Sequence, residues 1–224
     1  MKLTFEKLFS IPKSFWVSIH YFPFKEAIKL PILVRYNTRL IAISGLIKIN
    51  KSEGVKTGML SIGFGNVGIF DKKYERSIWE VTGCIELKGK AAFGHGCRLC
   101  VGKNGTLTIG CHFNNTAAMT IICQKHITFG DNVITSWNTL VMDTDWHSIV
   151  NVETNEIYPI SKDIVIGNNV WLCTRSVVLK GSVIPDGCIV GANSLCSKKY
   201  TLDNSLIAGN PAEIRRKNIT MYRN

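Results

Sequence analysis

The segment Asp143-Thr144-Asp145-Trp146-His147 carries the most chemical potential in this sequence, because two acids, a tryptophan and a histidine lie within five residues. Histidine titrates near neutral pH and can take a proton as a general base, while a nearby acid can orient the ring and stabilise its charged form. On an extended backbone Asp145 and His147 share a face, so they can hydrogen-bond directly or through a water. An acid that serves only the turn is the alternative for Asp145. We therefore take His147 and Asp145 as the candidate catalytic residues.

A six-residue repeat in the sequence predicts the elements that position this segment. Large inward-pointing residues recur at every sixth place, and small or branched residues follow the first five of them four places later. The large set is Ile166, Leu172, Val178, Ile184, Val190 and Cys196, and the small set is Val170, Ser176, Ser182, Cys188 and Ser194. A helix or an isolated strand does not produce this period, whereas a coiled parallel β-solenoid with one short strand and one corner per hexad does. Asn168-Asn169 and Asp186-Gly187 supply the corner residues.

The repeat also predicts how the chain is divided. Weaker hexads upstream, such as Phe129-Gly130-Asp131-Asn132-Val133, extend the solenoid to residues 58–200. We expect one interruption, the loop 142–163, since the hexad pattern stops after Val141 and resumes at Ile164. A loop on a rigid scaffold is free to carry polar side chains, so we expect the active site there. Residues 1–57 form an N-terminal segment and residues 201–224 a C-terminal tail.

The N-terminal segment has two possible roles. Its aromatic and aliphatic residues predict one or two short amphipathic helices, broken near Pro12 and Pro23 and followed by strands at 32–36 and 40–49. We favour a cap over the open end of the solenoid, because terminal coils need protection from edge-to-edge association. A membrane-surface contact is the alternative, because lysines lie among the aromatic residues. These are Lys2, Lys7, Lys13, Lys25 and Lys29.

Composition narrows the class of protein. With 224 residues, 46% of them hydrophobic, the chain can bury the core of one domain. No apolar run reaches membrane-spanning length, and Glu6, Lys7 and Lys13 interrupt any signal-peptide core, which predicts a cytoplasmic protein. The net charge of +11 suggests an anionic small ligand or polysaccharide, or only a solubilising surface. The basic residues are scattered and no nucleic-acid module is visible, so we expect no nucleic-acid partner.

The cysteines and histidines do not predict a metal site. Of the eight cysteines, Cys111, Cys123, Cys188 and Cys196 fall at inward hexad positions and are expected to act as small hydrophobic residues. Cys97-x-x-Cys100 has the spacing of half a zinc site, but there is no second cysteine pair. A site formed by histidines of neighbouring coils needs three that converge, and His126 and His147, 21 residues apart, are out of phase.

The hexads, the break and the histidine together resemble the hexapeptide-repeat acyltransferases, and among them the O-acetyltransferases of sugars, capsule and lipopolysaccharide. The resemblance covers about residues 60–217. It lies in Asp145-Trp146-His147-Ser148, Pro159-Ile160, Ile166-Gly167-Asn168-Asn169-Val170-Trp171 and Ala208-Gly209-Asn210-Pro211-Ala212.

The resemblance implies the fold, the reaction and the assembly. The fold is an all-β, left-handed parallel β-helix with three hexads per coil, here with an N-terminal helical and strand cap and a short tail. The assembly is a homotrimer with active sites between neighbouring subunits, and the acetyl donor is acetyl-coenzyme A. His147 matches the family's catalytic histidine, which takes the proton of a sugar hydroxyl as its oxygen attacks the thioester. A backbone N–H holds the oxyanion.

The resemblance also assigns coenzyme-binding positions. The family's asparagine near both substrates falls at Asn114 or Asn115, of which we prefer Asn115. The other positions are Trp171 in the cleft, Thr174 and Ala192 along the pantetheine arm, Ser197 beyond them, and Lys198 and Arg216 at the phosphates. A packed corner residue is the alternative for Trp171.

Two departures and three competing classes qualify this interpretation. Glu213 stands where the galactoside branch has a coenzyme-binding arginine, and Gln124 stands where that branch has a sugar-binding aspartate. Asp145 is absent from the galactoside branch and resembles the capsule-modifying branch. The competing classes are a non-catalytic solenoid binding module, an acyl-carrier-dependent acyltransferase of lipid precursors, and serine acetyltransferase, whose large N-terminal helical domain has no room here.

Overall fold

The structure is a computed structural model that describes residues 5–50, 52, 54–65, 67–71 and 73–222. Lys2 of the predicted lysine set lies outside these residues. Three sheets of parallel strands form a coiled β-solenoid, in which the chain passes from sheet A to sheet B to sheet C and then begins the next coil.

The strands are numbered in chain order. Sheet A consists of β1 (Ile32–Val34), β4 (Leu60–Ile62), β7 (Ala91–His95), β10 (Phe113–Ala117), β13 (Ile134–Trp137), β18 (Trp171–Leu172), β21 (Ile189–Val190), β23 (Leu206–Gly209) and β24 (Ala212–Arg216). Sheet B consists of β2 (Arg39–Ala42), β5 (Ile78–Val81), β8 (Arg98–Val101), β11 (Thr120–Cys123), β14 (Leu140–Met142), β19 (Val177–Leu179) and β22 (Leu195–Cys196). Sheet C consists of β3 (Leu46–Ile49), β6 (Cys84–Leu87), β9 (Thr106–Ile109), β12 (His126–Phe129), β17 (Ile164–Ile166) and β20 (Val183–Ile184). A separate hairpin consists of β15 (Ile149–Val150) and β16 (Ile157–Tyr158).

The hexad prediction is confirmed in the last coils. Trp171 pairs with Ile189 and Val165 with Val183, so one coil takes eighteen residues, or three hexads. All six large inward positions from Ile166 to Cys196 are fully buried, and the five small positions between them are buried too. Asn169 adopts a left-handed conformation (φ 55°) at a corner, as the turn residues predicted. The core of the earlier coils contains stacked aromatic rings, with Phe113 between Phe93 and Phe129.

The β-helix begins earlier than predicted. The strands β1, β2 and β3 pair in parallel with β4, β5 and β6, so the first coil lies inside the segment 1–57 that we had assigned to a cap. A second interruption, residues 63–77 between β4 and β5, adds to the loop 142–163. These two corrections have one cause. Long connections separate the first strands, so residues that stack on each other are not six or eighteen residues apart.

The N-terminal helices also differ from the prediction in one respect. The helix α1 (Phe5–Tyr21) runs without a break through Pro12, whereas Pro23 does separate it from α2 (Phe24–Ala27). Pro12 lies on the exposed side of α1, where water can hydrate the carbonyl that has lost its partner. Within the described residues, neither helix is long and apolar enough to cross a membrane.

Three of the four cysteines that we predicted to face inward are buried in the core, and Cys97 is buried with them. Cys97, Cys123, Cys188 and Cys196 are buried, and burial raises the pKa of the Cys97 thiol to about 12. Cys111 was predicted to face inward, but it lies half-buried at a corner, where its N–H donates to Asp131. All eight cysteines are free thiols.

Candidate active site

The loop 142–163 leaves the β-helix at the corner between sheets B and C. Asp143 at its root is fully buried, and its two carboxylate oxygens accept the N–H groups of Gln124 (2.7 Å) and Lys125 (2.8 Å) on the coil below. A carboxylate that accepts two backbone N–H groups is a strong anchor. The start of the loop is therefore fixed to the rigid coil.

The loop is a paired ribbon rather than an open excursion. The N–H of Lys162 donates to the Asp143 carbonyl and that of Asp145 to the Ile160 carbonyl, each at 3.0 Å. Thr144 forms an antiparallel bridge with Ser161, and the hairpin β15–β16 continues the pairing outwards. The pairing gives the residues near 145 a defined position above the corner.

His147 stands on this ribbon with its ring open to solvent. The imidazole is exposed and makes no hydrogen bond or ion pair with the part of the chain that the structure describes. An exposed and unengaged imidazole is available to take a proton from a bound hydroxyl.

The predicted contact between Asp145 and His147 is absent from the described structure. Trp146 between them has a φ of 62°, so the backbone turns there, and the extended geometry on which we based the contact does not apply. The Asp145 carboxylate instead lies 2.5 Å from the Nζ of Lys180. Asp145 thus fastens the ribbon to the β-helix rather than orienting the histidine ring.

Lys180 is a functional candidate that the sequence did not reveal. Its Nζ also donates to the Pro159 carbonyl at 2.6 Å, so one ammonium group holds both strands of the ribbon. Lys180 lies at the corner between β19 and β20, where the hexad pattern places no constraint on residue type. A signal for it would have required knowledge of which residues meet the loop in space.

A cationic groove runs down the same corner. It has a volume of about 610 Å³ and is lined by five lysines, Lys125, Lys162, Lys180, Lys198 and Lys199, together with Asp163, Val165, Gly181, Val183 and Ser197. Lys125 pairs with Asp163 (3.0 Å) and Lys198 with Glu213 (2.6 Å), whereas Lys162 and Lys199 form no ion pair with described residues. The lysines collect here because successive coils stack their corners. Such a groove suits a ligand with several negative charges.

The predicted coenzyme-binding residues divide between two corners. Ser197 and Lys198 line the cationic groove. Thr174 and Ala192 lie at the corner between sheets A and B, where the N–H of Asn193 donates to the Thr174 carbonyl at 3.1 Å. Trp171 lies on sheet A and donates its indole N–H to Ser136 Oγ at 3.1 Å. One chain therefore does not bring all of these residues together.

Arg216 lies apart from both corners. It is exposed on β24, opposite Leu206 at the last edge of sheet A. Glu213, which replaces a coenzyme-binding arginine of the galactoside branch, is the residue of this strand that reaches the cationic groove through Lys198.

Asn115 is engaged inside the coil. It is 2% exposed, its Oδ1 accepts from Cys97 Sγ (2.8 Å) and the Gly94 N–H (3.3 Å), and its Nδ2 donates to Thr135 Oγ1 (2.7 Å) and the Ser136 carbonyl (2.9 Å). The neighbouring Asn114 is exposed and lines a groove of about 270 Å³ on sheet A. The geometry therefore favours Asn114, the alternative to the residue we preferred, for contact with a ligand.

The loop 63–77 forms one wall of this second groove. Phe64, Gly65 and Val67 face the strand residues Ala92, Gly94 and Asn114 across it. The sequence did not predict this groove, because the loop interrupts a part of the solenoid that has no regular hexads. Among the described residues, no group of three or more histidine, cysteine or acidic side chains is arranged to hold a metal ion.

The chain is similar to known proteins of one class. No family model matches the chain. Its homologues and structural neighbours are hexapeptide-repeat acetyltransferases, which confirms the resemblance that the sequence predicted.

Two curated relatives come from Escherichia coli strain K12. The galactoside O-acetyltransferase is 31% identical over 126 residues, which are 56% of this chain and 57% of that protein. The putative lipopolysaccharide biosynthesis O-acetyl transferase WbbJ is 44% identical over 57 residues, 25% of this chain and 29% of that protein. The chain thus spans about half the length of the first relative and less than a third of the second.

Two solved structures share the fold over most of the chain. The polySia-specific acetyltransferase NeuO superposes with a TM-score of 0.55 at 18% identity, covering 86% of this chain and 79% of its own. The polysialic acid O-acetyltransferase OatWY superposes with a TM-score of 0.51 at 25% identity, covering 86% and 90%. The neighbours are left-handed β-helix acetyltransferases, so the predicted fold class is confirmed.

Proposed function

We propose that this chain is a cytoplasmic O-acetyltransferase that transfers acetyl from acetyl-coenzyme A to a saccharide hydroxyl. The observation that carries the proposal is the exposed, unengaged His147 on a ribbon that is fastened beside a groove of five lysines. A general base and an anion-binding groove at one corner are what a two-substrate transfer from a phosphate-bearing donor requires.

In the proposed reaction His147 removes the proton from the acceptor hydroxyl as its oxygen attacks the thioester carbonyl. The new C–O ester bond forms, the C–S bond breaks, and the protonated His147 returns its proton to the departing coenzyme A thiolate. A backbone N–H of a nearby coil stabilises the oxyanion. Asp145 and Lys180 keep the ribbon in place and take no part in the proton transfer.

The groove lysines fit the coenzyme's phosphate groups. Lys162 and Lys199 have no competing carboxylate among the described residues, so their charges are free for phosphate oxygens. Ser197 lies in the same groove and Lys198 is shared with Glu213. The two residues predicted at this end of the coenzyme therefore lie in a suitable environment.

The division of residues between corners supports a shared active site in a homotrimer. His147 and Lys198 lie at the corner between sheets B and C, whereas Thr174 and Ala192 lie at the corner between sheets A and B. Packing one corner against the other corner of a second copy would bring both sets to one cleft. Asn114 and the sheet A groove would then face the same cleft from the neighbouring chain.

For the acceptor we propose a saccharide of the cell surface. The relatives that support it are named for galactoside, lipopolysaccharide and polysialic acid. A net charge of +11 favours an anionic polymer over a neutral sugar. Gln124 in place of the galactoside branch's aspartate points away from galactosides.

A thiol-release assay tests the proposal. Purified protein, acetyl-coenzyme A and a panel of neutral and anionic glycans are combined, and free coenzyme A thiol is measured. We expect thiol release with at least one glycan and its loss, by about 1,000-fold, in His147→Ala. His112→Asn is the matched control, because His112 is exposed in a left-handed turn (φ 58°) that asparagine tolerates. No release with any glycan, or equal release by His147→Ala, would contradict the proposal and leave a binding module as the alternative.

A further inference from the structure

The helix α1 buries a polar face and exposes an apolar one, the reverse of an ordinary surface helix. Ser10, Ser14 and Ser18 recur at every fourth position, so they lie on one face of α1, and all three are buried. An amphipathic helix normally turns its apolar stripe towards the protein. We therefore ask what the buried polar face of α1 contacts, and what its exposed apolar face binds.

The task of the buried side is to satisfy the edge strand β1. The N–H groups of Val34 and Tyr36 donate to Ser14 Oγ (2.9 Å) and Ser10 Oγ (3.0 Å). Ser14 Oγ in turn donates to the Val34 carbonyl at 3.2 Å, and Ser18 makes similar contacts with Ile32. Three serines thus take the place of the strand that would otherwise add to this edge.

The hydrogen bonds between α1 and β1 determine the direction in which the outer face of the helix points. The free backbone groups of an edge strand point along the axis of the solenoid, so α1 lies across its end. The opposite face of the helix points away from the coils along the same axis. It carries Phe5, Leu8, Phe9, Trp16 and Ile19, which are 43–76% exposed, and we call it the aromatic face. Phe24 at the start of α2 and Ile28 at its end are also more than half exposed.

The surroundings of the aromatic face are positively charged. Lys25 and Lys29 are exposed on and just after α2 and form no ion pair with described residues. The acids of residues 5–30 are Glu6 and Glu26, and Glu6 is paired with Arg35 at 3.1 Å. Lys13 is turned inwards, where its Nζ donates to the Tyr36 carbonyl at 3.0 Å.

We propose that the aromatic face docks this protein on the surface of an anionic lipid bilayer, with α1 lying in the plane of the interface. Phenylalanine, tryptophan and leucine on one side with lysines at the margin are suited to the boundary between acyl chains and headgroups. Lysines near an anionic surface each add to the attraction. Charge argues against a second copy of this chain as the occupant, because two chains of net charge +11 would bring like-charged margins together.

The proposal does not require acetyl transfer, but it gains strength from a trimer. If three solenoids pack side by side in parallel, three aromatic faces lie at the same end and can engage one bilayer together. Linked weak contacts of this kind raise the overall affinity well above that of one helix.

Vesicle co-sedimentation of the full chain tests the proposal. The probes are vesicles of phosphatidylcholine alone and of phosphatidylcholine mixed with phosphatidylglycerol. We expect the wild type to bind the mixed vesicles at least 10-fold more tightly than the neutral ones, and the binding to weaken as salt is raised. Phe9→Gln combined with Trp16→Gln should lower binding to the mixed vesicles at least 10-fold. Phe5→Gln alone, at a side chain that is 76% exposed, should lower it without affecting the fold.

Ile69→Gln is the matched control, because Ile69 is 71% exposed in the loop 63–77 and should bind as the wild type does. The proposal is wrong if the wild type binds mixed vesicles no better than the Phe9/Trp16 variant. It is also wrong if that variant loses molar mass in solution without vesicles, which would assign the face to contact between copies. Thiol release in the absence of vesicles reports separately on the proposed function.

Discussion

The ammonium group of Lys180 lies 2.5 Å from the carboxylate of Asp145, and through this contact the wall of the β-helix holds the loop that carries His147. The pair is mostly shielded, with side chains 18% and 30% exposed, and the same ammonium group also binds the Pro159 carbonyl. The position of His147 thus depends on a residue one full coil further along the chain.

Lys180→Met should loosen the ribbon without unfolding the β-helix. We expect acetyl transfer to fall about 10- to 100-fold, because a general base displaced by an ångström or so loses much of its effect. Limited proteolysis should cut the hairpin β15–β16 faster than in the wild type. Lys162→Met removes a charge from the same groove but leaves the contact between Lys180 and Asp145 intact. It should therefore weaken acetyl-coenzyme A binding and leave proteolysis unchanged. If Lys180→Met also leaves proteolysis unchanged and only weakens acetyl-coenzyme A binding, Lys180 serves the coenzyme and does not hold the ribbon.

Substitution of Asn114 and of Asn115 should distinguish a residue that contacts the ligand from one that stabilises the fold. Asn115→Ala removes an amide that is hydrogen-bonded on both sides inside the coil, so we expect a loss of about 2–3 kcal/mol in the free energy of unfolding. Asn114→Ala removes an exposed side chain and should change stability by less than about 0.5 kcal/mol. It should instead raise KM or lower kcat for acetyl transfer. Denaturant unfolding and thiol-release kinetics on both variants distinguish the two roles, and reversed results would restore Asn115 as the ligand-binding residue.

A shared cleft predicts complementation between inactive chains. His147→Ala and Asn114→Ala homotrimers should each be impaired, but trimers formed by denaturing and refolding a mixture of the two should regain activity. The gain arises because some clefts then combine His147 of one chain with Asn114 of its neighbour. Mixing without refolding is the control. If refolded mixtures show only the average of the two parents, each active site belongs to one chain.

The buried thiols predict a fold that weakens at alkaline pH. Burial raises the pKa of Cys97 from 9.0 to about 12 and that of Cys196 to about 11. Above pH 9 the unfolded chain loses these protons while the folded chain keeps them, so the unfolded state binds fewer protons and the free energy of unfolding falls as pH rises. Each thiol contributes a slope of about 1.4 kcal/mol per pH unit up to its folded pKa.

Cys97→Ser provides the check on this slope. Serine keeps a donor for the Asn115 Oδ1 but does not titrate in this range. The Tm, measured between pH 8 and pH 10.5, should therefore fall less steeply with pH in the variant than in the wild type. Parallel slopes would show that other groups cause the alkaline loss.

The sequence predicted the parts of this fold that local rules control. Inward positions such as Val178 and Val190 repeat at a fixed interval, and asparagine marks the left-handed corner at position 169, so both the coil and its corners could be predicted. The break that carries His147 was visible because the repeat on both sides of it is regular.

What the sequence did not predict depends on single dihedral angles or on distant partners. The turn at Trp146 has no residue signal, since tryptophan is not a usual residue at positive φ, and this turn separates Asp145 from His147. Lys180 meets Asp145 only through coil stacking. The sequence also did not predict which face of α1 is buried. The polar face is buried because the edge of β1 requires hydrogen bonds more than it requires apolar contact.

The number of stacked coils also determines how far the His147 loop lies from the end of the β-helix that α1 covers. The strand β14, from which the His147 loop departs, is the fifth of sheet B counted from the end that α1 covers. Neighbouring strands are about 4.8 Å apart, so the loop leaves about 19 Å above the first coil, and the helix adds about another 5–10 Å. If the aromatic face lies on a bilayer as proposed, His147 stands at a constant elevation above the lipid. In that arrangement the number of coils decides how far from the lipid surface an acceptor hydroxyl must lie to meet His147.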